Sequence, residues 1–172
     1  MLTPQKIILV GPMGAGKTTI GRLLAKNLSL PFKDSDSEIE ERTGADIPWI
    51  FDVEGEEGFR QRESSVLADL LREKSLVLAT GGGIVLKEEN RALLKQADVV
   101  IYLLADSEQL IKRTGKDKNR PLLNVVDPAK QIQHLLSERE SLYREVATRI
   151  VETDSRSPKL VAKEIAQSIL QI

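Results

Sequence analysis

The sequence predicts an α/β fold with three layers, in which helices cover both faces of a central parallel sheet of about five strands. Short apolar segments alternate with longer segments of helical periodicity along the 172 residues, which is the order expected of a parallel sheet. Apolar residues make up 41% of the chain and charged residues 30%, the balance of a globular protein rather than a disordered chain. We expect a single domain over residues 1–172, because chains usually divide only beyond about 250 residues.

Five short apolar segments are predicted to be the strands. The first, Ile7-Ile8-Leu9-Val10, is rich in β-branched residues and is followed at once by glycines, which favours a buried strand. The other strands are predicted at residues 30–33, 75–80, 98–104 and 149–151. Helices are predicted between them, at residues 18–28, 37–43, 58–73, 88–95, 107–113, 128–145 and 158–170.

The composition excludes several classes of function. Lys and Arg number 25 and Asp and Glu 26, so the net charge of −1 gives no field that would attract nucleic acid or a membrane surface. The absence of cysteine excludes disulfides, thiolate metal sites and cysteine nucleophiles. His134 is the single histidine and is expected on a helix surface. The apolar run at 7–10 is too short for a signal or membrane-spanning segment, so we expect a cytoplasmic protein.

A glycine-rich segment lies directly between the first predicted strand and the first predicted helix. Residues 11–18, Gly-Pro-Met-Gly-Ala-Gly-Lys-Thr, match the phosphate-binding pattern G-x-x-x-x-G-K-[ST]. The backbone N–H groups of such a loop surround a phosphate, and the N-terminus of the following helix adds its positive dipole. Lys17 is expected at the β- and γ-phosphates and Thr18 at a magnesium ion. The sequence therefore predicts a site for a nucleoside triphosphate.

Two further motifs bear on the class of nucleotide-binding protein. Asp52-Val-Glu-Gly55 matches the D-x-x-G of GTPases, which would indicate a nucleotide-dependent switch. The guanine-reading motif N-K-x-D is missing, however, and residues 115–118 match it poorly. Asp106 resembles a magnesium-binding aspartate at a strand end, but we interpret it as the N-cap of the next helix. Either the strand at 75–80 or the one at 98–104 can lie beside the strand of the phosphate loop.

Polar residues are expected at the carboxyl edge of the sheet, where the phosphates bind. Asp34 and Asp36 follow the second predicted strand and Gly81-Gly82-Gly83 the third, and parallel strands end at the same edge. One carboxylate can support magnesium and the other can accept the proton of a substrate hydroxyl. Alternatively, the aspartates cap the helix at 37–43, which Asp36 can do alone. The glycines either let a ligand approach bare N–H groups or form a tight turn.

Arg60, Arg120 and Arg139 are candidates for contacts with anions. A guanidinium group binds a carboxylate or a phosphate through two parallel hydrogen bonds. A solvated surface position is the ordinary alternative, and for Arg60 it would include an ion pair with Glu57 or Glu63 on an exposed helix. Arg120 lies within residues 114–124, a polar and turn-prone segment that is long enough to be a functional loop.

Six motifs follow one another along essentially the whole chain: GPMGAGKTTIGR (11–22), DSDSEIE (34–40), IFDVEGEEGFRQRE (50–63), ATGGG (79–83), RPLL (120–123) and ERESLY (138–143). In this order they resemble the shikimate kinases of the bacterial single-domain form. The resemblance implies a monomeric P-loop kinase fold with a substrate-binding subdomain at about 34–62 and a mobile lid at about 113–124. It implies transfer of the γ-phosphoryl group of ATP to the 3-hydroxyl of shikimate with Mg²⁺, in the chorismate route to aromatic amino acids.

The resemblance also implies roles for individual residues. Lys17, Asp36 and Arg120 would be catalytic, with Asp36 as the candidate base. The ATP contacts would be Gly14, Ala15, Gly16, Lys17, Thr18, Thr19, Arg113, Arg120 and Arg156. The shikimate contacts would be Asp36, Arg60, Gly81, Gly82, Gly83 and Arg139. Thr18 would bind Mg²⁺ directly and Asp34 would bind it through water.

Two alternatives to this function stay open at the level of the residues. The acceptor can be gluconate or a nucleoside monophosphate, because a phosphate satisfies Arg60 and Arg139 as a carboxylate does. The second alternative is a nucleotide-dependent switch without a small-molecule acceptor.

Overall fold

A five-stranded parallel sheet forms the centre of the computed structural model, which describes residues 3–114 and 119–171. The strands are β1 (Lys6–Val10), β2 (Phe32–Asp34), β3 (Leu76–Ala79), β4 (Val99–Leu104) and β5 (Arg149–Glu152). Their order is β2-β3-β1-β4-β5 and every pairing is parallel. The predicted fold class and the five predicted strands are confirmed. Both candidate neighbours of β1 pair with it, β3 on one side and β4 on the other.

The helices lie close to their predicted positions. They are α1 (Lys17–Leu28), α2 (Ser35–Thr43), α3 (Ile47–Leu70), α4 (Glu88–Leu94), α5 (Ser107–Thr114), α6 (Pro128–Val146) and α7 (Pro158–Leu170), with a 3-10 turn at Pro121–Leu123 before α6. None of the helices within residues 3–114 and 119–171 is long and apolar enough to span a membrane.

Among the boundaries that differ from the prediction, the starts of one strand and one helix differ for clear local reasons. The strand β2 begins two residues late, because the N–H of Leu30 still bonds to Ala25 at the end of α1, 2.9 Å away. The helix α3 begins 11 residues earlier than predicted, where Asp46 caps it by accepting a hydrogen bond from the N–H of Trp49. Gly55, with φ 73°, interrupts α3 and breaks the apolar periodicity on which the prediction depended.

Alternate residues of the strands pack against the two helical layers. Ile7 and Leu9 of β1 belong to an apolar cluster that includes residues of α1, α5 and α7. Ile8 and Val10 belong to a second cluster, which contains residues of α2, α3 and α4. A strand that is buried on both faces must be apolar at every position, which explains the continuous run at residues 7–10. This packing leaves the carboxyl edge of the sheet for the loops.

Candidate active site

The phosphate loop has the strand–loop–helix arrangement that the sequence predicted. Gly14 and Gly16 have φ of 82° and 96°, which residues with a Cβ rarely adopt, and Gly16 is the N-cap of α1. The Nζ of Lys17 is buried and donates to the carbonyls of Gly11 and Pro12, each 2.7 Å away. Burial and the nearby Arg120 lower the pKa of Lys17 to about 7, although Asp36 and Asp34 act in the opposite direction.

A cavity opens in front of this loop, and we call it the phosphate cavity. Its lining includes six residues predicted to contact ATP, namely Gly14, Gly16, Lys17, Thr18, Thr19 and Arg120, together with Asp34 and Asp36. Ala15 is fully buried in the core beneath the loop. Arg113 lies beside the loop and donates to the carbonyl of Gly14, 3.0 Å away.

Thr18 and Asp34 lie in direct contact within the phosphate cavity. The hydroxyl of Thr18 donates to Oδ2 of Asp34 over 2.6 Å. The other carboxylate oxygen of Asp34 accepts from the N–H of Ser37, so Asp34 caps α2. The alternative in which Asp36 alone caps this helix is therefore wrong. The helix begins two residues earlier than predicted, which leaves the Asp36 carboxylate in its first turn.

Asp36 lies where the phosphate cavity meets a second cavity, which we call the acceptor cavity. Its Oδ1 is buried and forms no hydrogen bond with the residues that the structure describes. Burial raises the pKa of Asp36 to about 7, and the negative charges of Glu63 and Asp34 act in the same direction. A carboxylate with a pKa near neutrality is suited to proton exchange with a substrate hydroxyl.

Asp36→Asn is expected to stabilise the fold at alkaline pH. The folded pKa of Asp36 is about 7, above its ordinary value of 3.8. The stability that this carboxyl contributes is therefore fully present below pH 3.8 and is lost as the pH rises through 7. Urea unfolding should show a gain for the variant that is larger at pH 8 than at pH 5, by on the order of 1–3 kcal/mol. Asp52→Asn, at an exposed position, is the matched control. An equal gain in stability for Asp36→Asn at pH 5 and pH 8 would contradict the raised pKa.

Two buried arginines lie at the acceptor cavity. Arg60 and Arg139 are 6% and 4% exposed and both line this cavity. Arg60 donates to Glu63 over 3.0 Å and to Glu56 over 3.3 Å, and its guanidinium lies 5.2 Å from the centre of the Phe59 ring. The alternative of an exposed ion pair is therefore wrong, although a glutamate partner is present. The cavity presents two guanidinium groups, a composition that fits an anion.

Glu63 lines the acceptor cavity, a place that the sequence analysis did not predict because it considered Glu63 only as an ion-pair partner of Arg60. It is fully buried, and its Oε2 has no hydrogen-bond partner within the described part of the chain. Burial raises its pKa, while Arg60 lowers it. The i,i+3 spacing of Arg60 and Glu63 on one helix was the available signal, because such residues lie on the same face.

The glycines after β3 form the tight turn that was one of the two interpretations left open, and the approach of a ligand to their N–H groups stays a prediction. They form a turn in which the N–H of Ile84 bonds to the carbonyl of Gly81 over 3.2 Å. They also leave room for site residues: a Cβ on Gly81 would lie 2.7 Å from Oδ1 of Asp36, and one on Gly83 would lie 2.2 Å from Nη1 of Arg60. All three glycines line the acceptor cavity, and Gly81 and Gly82 line the phosphate cavity as well.

The remaining predicted residues lie partly inside and partly outside this site. Arg120 lines both cavities. Arg156 bonds to the carbonyl of Glu152 and pairs with Glu164, and it is absent from the lining of both cavities. Within the predicted lid, residues 115–118 lie outside the described residues, and so does their weak match to N-K-x-D.

The residues that suggested other functions have ordinary structural roles. The D-x-x-G segment at 52–55 lies within α3 and lines neither cavity. Asp106 accepts a hydrogen bond of 2.8 Å from the N–H of Gln109, as expected of an N-cap. His134 is exposed on α6 and lies 3.3 Å from Glu138, so its predicted surface position is confirmed.

Proteins of known function are similar to this chain in sequence and in fold. The family model described as shikimate kinase matches residues 13–170. A shikimate kinase of Pseudomonas savastanoi pv. phaseolicola is 56% identical over 168 residues, which are 98% of each chain. The structure of shikimate kinase from Acinetobacter baumannii in complex with shikimate matches with a TM-score of 0.96 at 53% identity, over 98% of this chain and 94% of that one. The shikimate kinase from Aquifex aeolicus matches with a TM-score of 0.84 at 36% identity, over 96% of each chain. The six motifs, the geometry of the two cavities and this similarity along nearly the whole length lead to one conclusion: the chain belongs to the shikimate kinase family.

Proposed function

We propose that this kinase transfers the γ-phosphoryl group of ATP to the 3-hydroxyl of shikimate, giving 3-phosphoshikimate and ADP in the chorismate route. The observation that carries the proposal is the acceptor cavity, where buried Arg60 and Arg139 lie with Asp36 beside the phosphate cavity. Shikimate has one carboxylate and several hydroxyls, which match two guanidinium groups and one carboxylate. Family membership argues against the nucleotide switch and against other acceptors.

Charged side chains and backbone N–H groups together hold the acceptor. Arg60 and Arg139 bind the carboxylate of shikimate, because a buried guanidinium group that lacks a full set of partners is costly and an anionic ligand removes that cost. The backbone of Gly81, Gly82 and Gly83 contributes N–H groups to the same ligand. Asp36 accepts the hydrogen bond of the 3-hydroxyl and takes its proton during transfer.

The nucleotide is held by the loop and by arginines. Gly14 to Thr19 bind the phosphates of ATP, and Arg113 and Arg156 pack at its adenine. Thr18 and Asp34 offer a hydroxyl and a carboxylate, hard oxygen ligands that fit Mg²⁺. No group of three or more His, Asp or Glu side chains within residues 3–114 and 119–171 is placed to hold a metal. This fits an ion that takes most of its ligands from water and phosphates.

Catalysis rests on position and charge. Phosphoryl transfer has a loose transition state, so aligning the hydroxyl with the γ-phosphoryl group matters more than a strong base. Lys17 and Arg120 stabilise the charge on the transferred group, and bound Mg²⁺ supplies further positive charge. Closure of the lid at about 113–124 over the subdomain at about 34–62 excludes water from the site. That the enzyme is a monomer and lies in the cytoplasm stays a prediction.

Arg60→Lys tests the acceptor. The lysine keeps the positive charge but loses the planar fork, so the KM for shikimate is expected to rise roughly tenfold to hundredfold. The KM for ATP should stay the same, because Arg60 lines the acceptor cavity and is absent from the lining of the phosphate cavity. The measurement is a coupled assay of shikimate-dependent ADP release. Arg62→Lys is the matched control, since Arg62 lies on the same helix and pairs with Glu54 at the surface. An unchanged KM for shikimate, or ADP release that is indifferent to shikimate, would contradict the proposal.

Arg120→Ala is expected to lower kcat by at least roughly tenfold and to leave shikimate binding nearly unchanged. The reason is that Arg120 contacts the transferred phosphoryl group, whereas the shikimate carboxylate is held by Arg60 and Arg139. The check combines steady-state kinetics with calorimetric titration of shikimate in the absence of nucleotide. If shikimate binding collapses in that titration, Arg120 belongs to the acceptor contacts instead.

A further inference from the structure

The hydroxyl of Tyr143 reaches from α6 to the glycine turn after β3. Tyr143 is fully buried, and its hydroxyl donates a hydrogen bond of 2.6 Å to the carbonyl of Gly82. Its ring packs on that of Tyr102 in β4, with ring centres 5.2 Å apart, which fixes the direction of the hydroxyl. Burial raises the pKa of Tyr143 far above its ordinary value, so the phenol is a proton donor throughout the neutral range.

The glycine turn depends on hydrogen bonds to keep its shape. Three consecutive glycines have no side chains to restrict their peptide planes, and glycine is the most permissive residue. The carbonyls of Gly81 and Gly83 accept bonds of 3.2 and 3.1 Å from the N–H groups of Ile84 and Leu86 within the turn. The carbonyl of Gly82 receives its hydrogen bond from Tyr143. A hydrogen bond from α6 therefore orients the peptide group that follows Gly82.

Gly82 lies between the two halves of the site. A Cβ on Gly82 would lie 3.4 Å from the backbone nitrogen of Met13 in the phosphate loop and 3.6 Å from Nη1 of Arg139. Arg139 lies four residues before Tyr143, so both side chains leave the same face of α6. One helix thus presents a guanidinium group to the acceptor cavity and holds the backbone beside it.

We propose that Tyr143 is a positioning residue for the acceptor. Its hydrogen bond to Gly82 sets the distance between the backbone of the turn and the guanidinium of Arg139, and so sets the affinity for the carboxylate bound there. The proposal rests on the proposed function, in which Gly82 and Arg139 both contact shikimate. Tyr143 touches no reacting atom and acts through these two residues.

Tyr143→Phe removes the hydroxyl and keeps the ring. The KM for shikimate and the Kd of shikimate without nucleotide are expected to rise roughly tenfold, the effect of one lost buried hydrogen bond. The kcat and the KM for ATP should stay within about twofold of the wild type. Tyr102→Phe is the matched control, because the Tyr102 hydroxyl is equally buried but has no partner among the described residues. An unchanged KM for shikimate in Tyr143→Phe, or the same rise in Tyr102→Phe, overturns the proposal.

A double-mutant cycle with Arg139→Lys tests the route of the effect. If Tyr143 acts through the contact that Arg139 makes, the KM for shikimate in the double variant rises by less than the product of the increases in the two single variants. Fully multiplicative increases overturn the proposal. A wild-type protein that fails to phosphorylate shikimate overturns the proposed function and this inference together. Normal wild-type activity with a raised KM in Arg60→Lys and an unchanged KM in Tyr143→Phe overturns this inference alone.

Labelling with 3-fluorotyrosine provides a test should Tyr143→Phe not fold. The chain has two tyrosines, so the labelled protein gives two fluorine resonances, which Tyr102→Phe assigns. Saturating shikimate is expected to shift the Tyr143 resonance more than that of Tyr102, because the ligand binds at the turn to which Tyr143 bonds. Equal shifts, or a Tyr143 resonance that does not move, overturn the proposal.

Discussion

Lys17→Met is expected to lower kcat by more than about a hundredfold, the scale seen when one preorganised charge is removed from a transition state. Methionine keeps an unbranched apolar stem in the phosphate loop, but it removes the ammonium that donates to Gly11 and Pro12. Removing that charge also removes a cost, because burial lowers the pKa of Lys17 to about 7 and so disfavours its charged form. We therefore expect a folded protein with almost no turnover.

Steady-state kinetics and circular dichroism together check this expectation. Lys26→Met is the matched control, since Lys26 lies on the same helix with its side chain exposed. The control should keep normal kcat and normal ellipticity. A kcat near that of the wild type in a folded Lys17→Met protein would contradict the assignment of the phosphate cavity.

Gly83→Ala is expected to raise the KM for shikimate by roughly a hundredfold, although the change adds a single methyl group. The new Cβ would lie 2.2 Å from Nη1 of Arg60 and 2.5 Å from its Cζ, so the guanidinium must move. The clash falls on the end of a flexible side chain, and the fold can therefore survive. Moving Arg60 away from Glu63 takes its guanidinium away from the acceptor, which weakens binding. It also leaves a buried carboxylate without its cation, which lowers the stability of the fold.

The measurement for Gly83→Ala is the KM for shikimate, beside the KM for ATP and the thermal midpoint. Gly44→Ala is the matched control, because a Cβ at Gly44 meets nothing within 4 Å and Gly44 is absent from both cavity linings. Its φ of 70° makes alanine unfavourable by about 1 kcal/mol, so it reports the general cost of such a change. Equal KM values in the two variants would show that Arg60 does not bind the acceptor.

Local patterns were enough to predict the fold class and the conformation of the phosphate loop. The apolar run at residues 7–10 predicted a buried strand, because a strand covered on both faces has no place for polar residues. Residues 11–18 predicted the phosphate loop, because the backbone shape that surrounds a phosphate is formed by consecutive residues. The resemblance to shikimate kinases is also confirmed. It depended on several motifs in a fixed order rather than on a single motif.

The tertiary structure decided the acceptor side of the site. The burial of Arg60 depends on Gly83. The Asp36 and Glu63 oxygens that lack a hydrogen-bond partner within residues 3–114 and 119–171 both lie close to Gly81. Tyr143 holds Gly82 from 61 residues away along the chain. No periodicity or short spacing records such contacts, because each pairs residues that only the packing of α2, α3 and α6 around the end of β3 brings together. The sequence by itself therefore determined the position and backbone shape of the phosphate loop, whereas the shape and charge of the acceptor cavity follow from contacts between distant segments.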